Sequence, residues 1–147
     1  VVPMGWHIEY LVHVHDFPDL EVLGNLPADS VVGHFGYMHI SNGLDHPGWL
    51  KFLRLFEKGR IWVKMTAPYR ITQRDVLPYD DVDDVAKALR EARPDRLLWG
   101  TDWPHPINPK PMANDGEKFD HLAEWLPDEN LRRQVLVENP KALYGFD

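Results

Sequence analysis

The chain has no cysteine, which removes disulfide frameworks and thiolate nucleophiles, so a transition metal would have to be held by histidines and carboxylates. It also lacks an excess of positive charge. The formal net charge of −7 disfavours nucleic acid and anionic membrane surfaces, both of which are bound through basic patches. Long apolar runs are missing as well. None approaches the roughly 20 residues of a membrane-spanning helix, and no signal peptide opens the sequence. The expectation is a cytoplasmic protein without nucleic-acid or membrane partners.

What is present points to one domain. The 147 residues are 44% hydrophobic, enough for a real core. Six tryptophans and eight histidines are many for this length, and titratable groups gather at functional sites.

The chain reads as alternating strands and helices. In "GWHIEYLVHVHDF" (5–17), Ile8, Tyr10, Val12 and Val14 share one parity, and His7, Glu9, Leu11, His13 and His15 the other, which predicts a strand with an apolar and a polar face. "SVVGHFG" (30–36) is a second strand. A helix is predicted over 46–58, with Trp49, Leu50, Leu53 and Phe56 at helical spacing and Gly59 as its stop. "RIWVKMTAP" (60–68) is a third strand. "YDDVDDVAKALREARP" (79–94) opens with acids and carries Val82, Val85, Ala86 and Leu89 on one face, so it reads as a helix. "RLLWGTD" (96–102) is a fourth strand, and helices near 116–126 and 128–138 finish the chain.

Such alternation implies parallel βαβ units, whose ligands sit beyond the carboxyl ends of the strands. Those ends carry His13 and His15, His34, the run from Lys64 to Arg70, and Asp102. Each has an ordinary reading. A lone strand-end Asp most often caps a turn, paired histidines on an edge strand are often solvated, His34 can bond a loop carbonyl, Lys64 can snorkel outward, and Arg70 is economically a surface residue. Their coincidence at one rim favours a site.

"VVGHFGYM", "IWVKMTAPYRI", "RLLWGTDWPHP" and "VLVENPKALYGF" resemble the amidohydrolase-related metal-dependent hydrolases. The resemblance extends to the branch of 2-pyrone-4,6-dicarboxylate lactonase, sulfomuconolactonases and sugar-lactone isomerases, and it covers essentially the whole chain. It implies an α/β fold of the (β/α)8 TIM-barrel type. Such barrels take about 250 residues, so residues 1–147 are expected to be a single C-terminal portion, strands five to eight with their helices.

The resemblance also implies roles. Asp102 matches the aspartate that takes a proton from water or substrate. His34 matches a histidine that polarises the lactone carbonyl or, in some members, ligates zinc, and Arg70 an arginine that grips a substrate carboxylate through its planar fork. His105, in "GTDWPH", joins the catalytic set, and Lys64 and His13 are assigned to substrate binding. The cofactor is none or one divalent metal such as zinc, with His15, His34 and Asp102 as candidate ligands. The implied activity is hydrolysis of a carboxylated lactone or similar cyclic ester, with a zinc-dependent hydrolase or decarboxylase as one alternative. The other is an inactive half-barrel with two open edges and a bare core face, which would self-associate, so a homo-oligomer is the expected assembly.

Overall fold

In the computed structural model, which describes residues 1–146, four short strands form one parallel sheet in the order β1-β2-β3-β4. They are β1 (Ile8–Tyr10), β2 (Ser30–Val32), β3 (Ile61–Met65) and β4 (Leu97–Trp99). The register sets Ile8 against Ser30, Ser30 against Ile61, and Val63 against Leu97. Between them run α1 (Val22–Asn25), α2 (Pro47–Lys58) and α3 (Asp83–Ala92). After β4 come α4 (Asp115–Trp125), α5 (Glu129–Arg133) and α6 (Asn139–Tyr144).

One sheet face carries Val32, Ile61, Val63, Met65 and Leu97, all fully buried against the helices. Trp49, Phe52 and Phe56 recur at three- and four-residue spacing on α2, and Val85, Ala86 and Leu89 do so on α3. Each large side chain buried here contributes about 1.5–3 kcal/mol, so this layer holds the strand ends in place. Helix α2 begins where the sequence indicates. His46 accepts a hydrogen bond from the Gly48 amide, Pro47 takes the first position, and Gly59 ends the helix.

The opposite face is not bare, contrary to the expectation. Val31, Trp62 and Leu98 form a second buried cluster under Leu143 of α6, and the Arg96 guanidinium lies 4.5 Å over the Trp62 ring. The chain's own last helix covers this apolar patch.

All four strands are shorter than the sequence reading, β3 ending at Met65 and β4 at Trp99, and the last helix is longer. The first strand stops at Tyr10 instead of continuing to 17, because its partner β2 ends at Val32 and the ladder has nothing further to pair with. The alternation persists, with Val14 buried and His13 exposed. The second strand ends at Val32, before His34. The last helix does not stop near 138. A wide turn over Gln134–Glu138 ends with the Asn139 amide bonded to the Gln134 carbonyl. This widening makes room for Pro140, which has no amide hydrogen and crowds the preceding turn, and the helix continues to Tyr144.

Candidate active site

The exits of β2, β3 and β4 share one backbone feature. The chain leaves β2 through His34, β3 through Ala67 and β4 through Asp102, and all three adopt left-handed φ, at 52°, 49° and 66°. After β2 the turn continues left-handed through Phe35, Gly36 and Tyr37. Non-glycine residues in this region cost of order 1 kcal/mol or more each and persist only where packing over-determines them. Phe35 is fully buried and supplies such packing. The abrupt turns bring side chains from separate loops to one place.

That place is the Asp102 carboxylate. The Tyr69 hydroxyl donates to its Oδ2 at 2.5 Å, and Arg70 Nε stands 3.8 Å from the same oxygen. His34 Nε2 faces Oδ1 at 3.7 Å, while His34 Nδ1 is bonded to the Thr66 hydroxyl at 2.7 Å. Burial holds the His34 pKa below its ordinary value, with Arg70 and Lys64 adding to the depression and Asp102 opposing it. Burial, reinforced by the bond to Asp102, raises the Tyr69 pKa far above the ordinary phenol value, so this hydroxyl stays a donor. Arg70 donates to the Pro106 carbonyl at 2.5 Å, and among the described residues its buried Nε has no hydrogen-bond partner. Beside this cluster opens a cleft of about 590 Å³, lined by His13, Tyr37, His39, Tyr69, Arg70 and Lys110 among others.

The other sequence-derived candidates fall differently. His13 lies on the cleft wall. The Lys64 ammonium is bonded to Glu9 at 2.6 Å and does not line the cleft. His105 is buried, and its ring is engaged by Asp115 and Lys118. Nε2 lies 3.1 Å from Asp115, both ring nitrogens are 3.3 Å from Lys118 Nζ, and only its backbone amide reaches the Asp102 carbonyl, at 2.6 Å. His15 is held by Asn42 at 3.2 Å and stacks edge-on with His13 and His46.

His15, His34 and Asp102 are therefore not assembled as a metal site. Among the described residues, no group of three His, Cys, Asp or Glu side chains is placed to hold an ion. The donors present in this chain do not by themselves fit a catalytic zinc, which takes three protein ligands.

Sequence reasoning missed Tyr69 and Thr66 as site members. Both belong to the polar run after β3, but only the turn at Ala67 decides that Tyr69 points at Asp102. Lys118 was missed too. Its signal is its spacing, since Lys118, Leu122 and Trp125 share the buried stripe of α4.

A parallel α/β layer gathers acid, imidazole, phenol and guanidinium beyond its strand ends, where ligands of such sheets bind. The amidohydrolase family profile matches residues 1–146, and the chain belongs to that family. It is 38% identical to 4-sulfomuconolactone hydrolase of Rhizobium radiobacter, across 96% of this chain and 50% of that protein. It is 33% identical to 2-pyrone-4,6-dicarboxylate hydrolase of Comamonas testosteroni, across 98% of this chain and 50% of that one. A solved structure from Pseudomonas putida, provisionally called a 2-pyrone-4,6-dicarboxylic acid hydrolase, superimposes with a TM-score of 0.84 at 30% identity, covering 99% of this chain and 54% of that one. The chain spans about half the length of the curated relatives it matches.

Proposed function

We propose that the full-length protein carrying this chain hydrolyses a carboxylated lactone or a related cyclic ester. In this reading the four-stranded sheet is strands five to eight of a (β/α)8 barrel, and the cluster around Asp102 is half of the catalytic rim. The observation that carries it is the convergence of His34, Tyr69, Arg70 and Asp102 from three separate strand exits.

Each group has a task. The Arg70 guanidinium, on the cleft wall, holds a substrate carboxylate by charge-assisted hydrogen bonds. His34, kept neutral by burial, accepts from the Thr66 hydroxyl at Nδ1 and donates from Nε2 to the lactone carbonyl oxygen. Asp102, aligned by Tyr69, accepts a proton from water as the water oxygen bonds to the carbonyl carbon. Collapse of the tetrahedral intermediate breaks the ring carbon–oxygen bond. The leaving oxygen takes the proton back, and one water has converted a lactone into a hydroxy acid.

The test is Asp102→Asn in the full-length protein, assayed with 2-pyrone-4,6-dicarboxylate and 4-sulfomuconolactone, the compounds named for the relatives. The kcat should fall by about 10² to 10⁴, the usual contribution of general acid–base catalysis, with the melting temperature unchanged. Retained kcat would sink the assignment. Loss of a bound metal alongside activity would instead make Asp102 a ligand.

A further inference from the structure

Lys118 is unusual for where it sits. It occupies the core-facing stripe of α4, one turn before Leu122, and is only 5% exposed. Lysine is almost never this buried without a partner. Here the ammonium contacts Asp115 Oδ1 at 2.6 Å, donates to the Thr101 carbonyl at 3.1 Å, and lies 3.3 Å from both ring nitrogens of His105.

Those partners flank Asp102 on both sides. Thr101 precedes it, and His105 follows it with an amide that closes on the Asp102 carbonyl. Asp115 joins the two ends, meeting Lys118 and the His105 ring with one oxygen. The turn so gripped is strained. Asp102, His105 and Ile107 are all left-handed, and Trp103 and Ile107 are exposed, so little apolar packing holds it.

We propose that Lys118, through Asp115 and His105, is a positioning residue that fixes the 101–105 turn so that the Asp102 carboxylate faces His34 and Tyr69. This rests on the reading of Asp102 as the proton acceptor. Without the ammonium, the Thr101 carbonyl and His105 ring lose their shared anchor, and the turn is free to relax toward right-handed conformations. The carboxylate then swings off the line to its water. Displacement of this kind is expensive in rate, because proton transfer depends on sub-ångström placement.

The experiment is a double-mutant cycle on the full-length protein, with 2-pyrone-4,6-dicarboxylate and 4-sulfomuconolactone as probes. Lys118→Met should lower kcat roughly ten- to hundredfold and leave KM within about twofold, since the carboxylate clamp at Arg70 is untouched. In the Asp102→Asn background the same substitution should produce no further loss, because the group it positions is already gone. Lys118→Arg, which keeps a cation on the anchor, should recover part of kcat. Asp115→Asn, at a half-exposed position, should lower kcat in the same direction and carries the test if Lys118→Met does not fold. An unchanged kcat in folded Lys118→Met, or an equal fold-loss in both backgrounds, overturns the proposal while leaving Asp102 as the base. Retained activity in Asp102→Asn overturns both.

Discussion

At Asp102 the carboxylate is surrounded by groups of different character, and each can be tested by a different property. Arg70 is the binding partner in the proposed reaction, so Arg70→Met should raise KM for carboxylated lactones by about ten- to a hundredfold with a smaller effect on kcat. Equal losses for uncharged lactones would make Arg70 a structural residue holding the Pro106 carbonyl. His34 makes a prediction in pH. Burial lowers its folded pKa below the unfolded value of about 6.5. Between the two values the unfolded chain binds more protons, so stability is complete above the unfolded pKa and declines as pH falls through that window. Thermal melts from pH 7.5 down to 5.5 should show a decline that His34→Gln reduces. An identical slope in the variant would show that His34 does not titrate differently on folding. His105 shows the limit of residue-type reasoning. A histidine beside a catalytic-looking Asp reads as catalytic, yet its ring is committed to Asp115 and Lys118.

Among the elements, two contacts decide how the helices sit on the sheet. Gly48, in the first turn of α2, lies against the His15 backbone so closely that an added Cβ would fall 1.7 Å from the His15 carbonyl oxygen. Gly48→Ala must push the 13–16 turn away, with an overpacking cost of about 1–3 kcal/mol and a corresponding drop in melting temperature. Calorimetry on the pair of proteins checks this, and an unchanged melting temperature would mean the turn yields freely. At the other end, the Asn139 side chain donates to the carbonyls of Pro94 and Leu97, at 2.8 and 2.7 Å, tying α6 to the start of β4. Asn139→Leu should destabilise by about 1–3 kcal/mol, because buried carbonyls lose their donor. The "NP" in the last motif thus has a physical reading: a tether, then a proline that the wide turn accommodates.

For the molecule as a whole, among the described residues β1 and β4 each have one side without a neighbouring strand, although Leu143 covers the apolar face of β2, β3 and β4. Open parallel edges are templates for further pairing. The 147-residue chain expressed by itself should therefore self-associate and lack lactonase activity, half of the proposed rim being absent. Light scattering and the lactone assay measure both. A monomer with full activity would refute the half-barrel reading, while a monomer without activity would show that Leu143 and the edge residues already suffice for solubility.

The sequence alone determined the alternation of strands and helices, the bounds of α2, the buried stripe of α3, and the placing of His34, Arg70 and Asp102 just beyond strand ends. These are legible because periodicity, caps and strand ends are local and depend on residues a few positions apart. Tertiary structure decided the rest. It turned His105 inward, drew Lys64 to Glu9, held His15 on Asn42, and brought Tyr69 to Asp102 and Lys118 under its turn. Each of those contacts joins residues 13 to 55 positions apart or depends on a left-handed turn at a non-glycine residue. No local pattern encodes such a turn, because what stabilises it is the packing of the completed fold.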